Sequence, residues 1–210
     1  MNLGTKQVPK HIGIIPDGNR RWAVENGMSK KEGYKHGLTP GLKLLNTAKK
    51  HGIKEITYYG FTVDNCKRPQ DQFEAFKKAC VEAVEILTKE GADLLVIGDS
   101  SSKCFPKELL PYITRKKVNG GGIRVNFLVN YGWKWDLSHI KENGKPHSDD
   151  ISRIDLIIRW GGMRRLSGFL PIQSVYADFY VENNLWPDYT DADFEHALEW
   201  YSKQDVTLGG

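Results

Sequence analysis

Five short apolar runs, each followed at once by a polar cluster, constrain this chain more than any other feature. The runs are HIGIIP (11–16), EITYYGF (55–61), DLLVIGD (93–99), IRVNFLVN (123–130) and IDLIIRW (154–160). Each is apolar on both faces of an extended chain, as strands are when helices cover a parallel sheet on both sides. Helical patterns lie between them. PGLKLLNTAKKHG (40–52) puts Leu42, Leu45 and Ala48 on one face and stops at Gly52. The stretch 70–91 carries Phe73, Phe76, Cys80, Val84 and Leu87 at helical spacing. The expected fold is α/β: a single domain over residues 1–210, with a mostly parallel central sheet flanked by helices. No repeat, low-complexity tract or linker divides the chain.

The polar clusters all follow strands: PDGNRRW, TVDNCKRP, GDSSS, NYGWKWD and RWGGMRRLS. Ligands of parallel sheets sit beyond the carboxyl ends of the strands, so these loops are expected to converge on one rim. That rim gathers Arg20, Arg21, Arg68, Arg159, Arg164 and Arg165. Guanidinium forks match phosphate oxygens bidentately, and Gly18, Gly161 and Gly162 let backbone N–H groups approach the same oxygens. Any single arginine reads equally well as a solvated loop residue; the gathering is what points to a diphosphate. Asp17 among them suits Mg2+, which takes one or two carboxylates plus substrate phosphates. It also suits the cap of the helix that follows, and the two roles are compatible. Thr62, Asp64, Asn65 and Arg68 offer groups to orient a substrate or relay a proton, yet such residues also simply favour loops. Helix 70–91 can wall an apolar channel with Phe73, Phe76 and Ala83, or pack as core. DADF (191–194) reads as a negatively charged helix start, and Gly120 to Gly122 as a turn.

Composition narrows the classes. The 210 residues, 40% hydrophobic and 27% charged, can bury a sizeable core. No apolar run is long enough to span a bilayer, and Met1–Lys10 lacks the apolar centre of a signal peptide. Cys66, Cys80 and Cys104 form no C-x-x-C pair and are odd in number, which suggests free thiols and a cytoplasmic location. A net charge of +4 admits an anionic ligand. The lysines are interleaved with acids rather than gathered on one face, so no nucleic-acid partner is expected. Phosphate-loop, dinucleotide and zinc-protease motifs are all missing.

Several ordered stretches carry a family resemblance. HIGIIPDGNRRWA, YGFTVDNCKRP, VIGD, VNYGWKWD, the long run from DLIIRWGGMRRLS to DADFEHAL, and the terminal GG are similar to the signature regions of the cis-prenyltransferases, whose type members are undecaprenyl diphosphate synthases. The resemblance spans nearly the whole chain. It implies a homodimeric α/β enzyme that condenses an allylic diphosphate with isopentenyl diphosphate, releases diphosphate, and uses Mg2+ without a D-D-x-x-D motif. By the same resemblance Asp17 works with Mg2+ and the diphosphates, and Asp178 stands where the family has a metal-linked glutamate. Gly18, Asn19, Arg20, Arg21 and Trp22 match the loop that cradles the allylic diphosphate. Asn65 matches the amide assigned to proton removal, with Arg68 its basic neighbour; Arg159, Arg165 and Ser167 match the isopentenyl diphosphate site.

The chain departs from the family pattern at substrate-facing positions. Lys30 replaces an arginine, Tyr34 a histidine, Asp64 a glutamate and Cys66 an aromatic; Trp133–Lys134, Trp160 and Met163 alter two further motifs. Trp133 and Trp160 are expected to reshape the isopentenyl site. The terminal R-x-G arginine is Thr207, and the stretch between NYGWKWD and DLIIRW is short for a long-chain synthase. These departures keep open a variant activity (short-product, branching or cyclising coupling, or transfer to another acceptor) and a subunit of a heteromer. Peripheral membrane contact is also left open.

Overall fold

The computed structural model describes residues 7–118 and 121–205. Six strands form one sheet: β1 (His11–Ile15), β2 (Glu55–Tyr59), β3 (Asp93–Ile97), β4 (Arg124–Leu128), β5 (Leu156–Arg159) and β6 (Asp178–Val181). Their order is β3-β4-β2-β1-β5-β6 and every neighbouring pair is parallel. The expected α/β fold and all five expected strands are therefore present, trimmed by one to three residues. The sixth strand, DFYV, was not anticipated. It lies at the sheet edge, its four residues are only half-buried, and an edge strand needs no continuous apolar run.

Alternation along the strands sends side chains to two cores. Ile12, Ile14, Ile56, Val96, Phe127 and Ile158 enter the larger one, with Leu44 and Leu45 of helix α3 (Leu38–Lys50), Val84 and Leu87 of α4 (Gln70–Lys89), and Phe194 and Leu198 of α6 (Asp191–Tyr201). Ile15, Tyr59, Leu95, Ile97, Leu128 and Ile157 enter the other, where Ile151, Ile154, Phe169 and Leu170 cover the sheet beside α5 (Trp133–Asn143). The short stretch before β5 thus still holds one helix. The helices expected at 40–52 and 70–91 are α3 and α4. The acidic run at 191 does start a helix: Thr190 and Asp193 exchange side-chain-to-backbone bonds of 3.2 and 2.9 Å, a capping box. Phe73 packs in the core, 5.6 Å from the Phe61 ring, rather than lining a channel. Among the described residues no helix is long and apolar enough to cross a membrane.

The connection order places the site. The chain leaves β1 towards β2 and later returns, after β4, to build β5 on the other side of β1. The direction of strand addition therefore reverses at β1, and the loops after β1 and β5 part there to leave a crevice.

Candidate active site

Asp17 follows β1 by two residues, and Arg159 ends β5 in register with Ile15. The Arg159 guanidinium donates to Asp17 Oδ2 at 2.8 Å, to Ser167 Oγ at 2.9 Å, and to the Arg165 carbonyl oxygen. Its side chain is 5% exposed while that of Asp17 is 34% exposed, so the acid presents an edge to solvent and the base is held from behind. Arg159 Nε has no partner among the described residues. The helix after Asp17, α1 (Asn19–Glu25), is capped by Gly18 at φ 113° with no side-chain cap. Asp17 is therefore not the helix cap; its carboxylate is committed to Arg159, with Arg21 at 3.6 Å. Gly18 is required twice over, by its left-handed backbone and by the Leu185 side chain 2.8 Å from where a Cβ would stand.

These groups line a cleft of about 750 Å³. Its wall holds six cations (Arg20, Arg21, Lys30, Arg68, Arg159, Arg165) against three acids (Asp17, Glu25, Asp64), so the wall has an uncompensated positive charge that an anion would balance. Thr62 and Asn65 line it too, on the 3₁₀ turn Val63–Lys67, where the Thr62 N–H donates to Asn65 Oδ1 at 2.9 Å. Asp64 is tied to Lys67 at 2.7 Å. Tyr59, at the carboxyl end of β2, donates its O–H to the Ser167 carbonyl at 2.9 Å; burial raises its pKa and keeps it a donor. Its role was not foreseen, although its place as the last strand residue was the available signal.

Behind the cleft lies a second, narrow apolar cavity of about 80 Å³. Leu38, Leu42, Ala83, Ile86 and Phe127 are among its walls, and α4 contributes Phe76 as well as Ala83. Pro16, Asn19, Tyr34, Gly60 and Phe76 line both spaces and form the neck between them.

Three sequence candidates do not join this site. Trp22 projects from the other side of α1, its ring 4.6 Å from His36 and its Nε1 donating to Asp188 at 2.6 Å. Cys66 turns from the cleft towards Asn130 Oδ1 at 3.3 Å, and burial, then Cys104, push its thiol up to about 12. Asp178 begins β6 opposite Leu156, at the amino end of the sheet, so within one chain it does not approach Asp17. Burial raises its carboxyl pKa. Trp160 also leaves the rim: it is fully buried, 4.9 Å from the Trp186 ring. Trp133 packs over Gly168 outside the cleft. Arg164 is exposed beyond the wall. Thr207 and Gly120 lie outside the described residues.

No cluster of three or more His, Cys, Asp or Glu occurs among the described residues, so a cage of protein ligands is not what they build. Asp17, a part-exposed carboxylate beside Arg159 in the cationic cleft, instead fits Mg2+ held largely by ligand phosphates.

The sequence pattern of a family described as putative undecaprenyl diphosphate synthase matches residues 15–209. The ditrans,polycis-undecaprenyl-diphosphate synthase ((2E,6E)-farnesyl-diphosphate specific) of Yersinia pestis is 33% identical, over 96% of this chain and 90% of its own length. The protein of the same description from Photorhabdus laumondii is 32% identical, over 97% and 90%. Among solved structures, a lavandulyl diphosphate synthase from Lavandula x intermedia, in complex with dimethylallyl diphosphate, is 25% identical. It superimposes with a TM-score of 0.78 over 97% of this chain and 99% of that one.

Proposed function

Because the chain belongs to the undecaprenyl diphosphate synthase family and is a prenyltransferase, we propose that it condenses an allylic diphosphate with isopentenyl diphosphate or a second prenyl diphosphate, releasing diphosphate in a Mg2+-dependent reaction. The observation that carries this is the junction of a cationic cleft and an apolar cavity at the crevice marked by Asp17 and Arg159. A prenyl diphosphate has those same two halves, and the neck is where its allylic carbon would rest.

The protein's part is electrostatic. As the allylic C–O bond breaks, charge grows on the leaving diphosphate, and fixed cations stabilise it most where they need not move. Arg20, Arg21 and Lys30 serve that half; Arg159, Arg165 and Ser167 hold the second diphosphate. Arg159 is anchored by three bonds, so it is preorganised. Asp17 would hold Mg2+, which when bound neutralises diphosphate charge as a Lewis acid. Asn65, beside Asp64 on the cleft wall, is the amide assigned to the proton lost from the second substrate. The apolar cavity keeps water from the cation.

The likeness to a lavandulyl diphosphate synthase solved with dimethylallyl diphosphate favours a second reading, the coupling of two allylic units. Exposed Leu166, Ile172, Val175 and Tyr176 lie together in the segment between β5 and β6 and suit a homodimer of this chain. Free thiols and the lack of a membrane-spanning helix among the described residues are compatible with a cytoplasmic location. Incubation with dimethylallyl, geranyl and farnesyl diphosphates, each with and without labelled isopentenyl diphosphate, tests the reaction. A Mg2+-dependent prenyl diphosphate product is expected from at least one combination; none from any would sink the reading.

A further inference from the structure

Beside the neck stands Arg68, a cation with no ion-pair partner among the described residues. Arg68 Nη1 donates to the Tyr34 hydroxyl at 2.9 Å. Its guanidinium carbon lies 5.7 Å from the Tyr34 ring centre and 5.1 Å from that of Phe76, and the two rings stack at 4.5 Å and 9°. Among the described residues no carboxylate forms an ion pair with Arg68. Burial lowers its pKa most, the Tyr34 phenol offsets part of that, and Arg20 adds to the lowering. Tyr34 is itself 5% exposed, with a phenol raised by burial. Arg68 faces the polar cleft, whereas Tyr34 and Phe76 line both the cleft and the apolar cavity.

We propose that Tyr34 is a positioning residue that fixes Arg68 as the stop at the neck, where the diphosphate of a prenyl chain halts after the tail has entered the cavity. This rests on the prenyl diphosphate reading above. The phenol oxygen takes one N–H of the Arg68 fork, and the ring pair holds the guanidinium plane by cation–π contact. The remaining N–H donors are left for phosphate oxygens. A neutral phenol does this without adding a third charge beside Arg20 and Arg68, which an imidazolium at the same position would. Cutting the tether frees a long, rotamer-rich side chain whose order must then be regained on each binding event.

A double-mutant cycle on inorganic diphosphate binding, read by calorimetry, tests it. Tyr34→Phe keeps the ring stack and removes only the hydroxyl. It should weaken diphosphate binding about tenfold and raise the KM of the allylic substrate similarly, with kcat and Tm little changed. Arg68→Gln should weaken binding further, and Tyr34→Phe added to Arg68→Gln should cost nothing more, because Tyr34 acts through Arg68. Tyr34→His, measured at pH 8 where an ordinary imidazole is neutral, retains an acceptor for the Arg68 N–H and should keep most of the affinity that Tyr34→Phe loses. Tyr34→Phe binding diphosphate as the wild type does, or losses that add in the double variant, would overturn the inference alone. Wild-type protein that binds no diphosphate would bring down the prenyl diphosphate reading together with it.

Discussion

At the carboxyl ends of the strands Asp17 and Arg159 meet in an open cleft; at the amino ends a second polar cluster is sealed inside the protein. There His11, Glu55, Thr57 and Asn126 are 0–4% exposed. Asn126 Nδ2 donates to Glu55 Oε1 at 2.7 Å and to Thr57 Oγ1 at 2.9 Å, and its oxygen accepts from Arg115 at 2.7 Å. The His11 ring bonds to Thr57 Oγ1 at 2.8 Å through Nε2 and lies 3.0 Å from the Ser152 carbonyl through Nδ1. Both clusters mix acids, bases and amides. They differ in whether the charges find partners within the chain. The amino-end groups satisfy one another and hold strands β1, β2 and β4 in register. The carboxyl-end cations outnumber their acids and face a cavity, so their remaining valence is left for a ligand.

The widest gap between the two ends should appear on changing Asp17. Asp17→Asn keeps an acceptor for Arg159 but removes the charge that would hold Mg2+; turnover should fall at least about 10²- to 10³-fold, on the scale of losing a transition-state charge stabiliser. Tm should hardly move, since Arg159 keeps its bonds to Ser167 and Arg165. Retained Mg2+-dependent diphosphate release would break the assignment.

The converse pattern is expected at the amino end. Asn126→Ala leaves Glu55, Thr57 and Arg115 short of partners, a loss of about 2–4 kcal/mol, which lowers Tm by roughly 5–15 °C in a chain of this size. The kcat/KM of the fraction still folded should stay within about twofold of wild type. A selective loss of turnover at unchanged Tm would mean that the two ends are not separate in function.

The gentlest difference is a pH slope. Burial is the largest influence on His11 and lowers its pKa, although Glu55 opposes it. The folded protein therefore resists the proton that the unfolded chain accepts near the ordinary imidazole value of 6.5. Stability is full above that value and declines as pH falls through it. Thermal melts between pH 8 and pH 5 should show the decline, and His11→Gln should flatten it. An equal slope in the variant would assign the effect elsewhere, for example to His147, which burial and His139 lower in the same sense.

Much of the site was legible because it is written in strand ends. Asp17, Asn65 and Arg68 each follow a readable apolar run and Arg159 ends one, and a parallel sheet sends all such ends to one rim. Trp22 and Cys66 were misplaced for a local reason. They neighbour site residues in sequence, but successive side chains on a helical turn diverge, so Arg21 faces the cleft while Trp22 meets His36. Trp160 was misplaced because the residue after Arg159 points to the opposite face of the sheet, into the Trp186 cluster. Asp178 was carried by resemblance alone; its strand, lacking a continuous apolar run, left no sign of which sheet end it occupied.

Hydrophobic periodicity, a property of the chain itself, was enough to determine the parallel α/β architecture and the cationic rim. Direction around the backbone, and distance across the sheet, are not in the residue order. Only the tertiary structure could decide that Gly18 rather than Asp17 caps the first helix, and that Asp17 is thereby free for Arg159. The tertiary structure also joined Tyr34 and Phe76, from separate helices, into a neck around Arg68. Contacts between elements far apart in sequence are set by packing, which no local pattern of residues encodes.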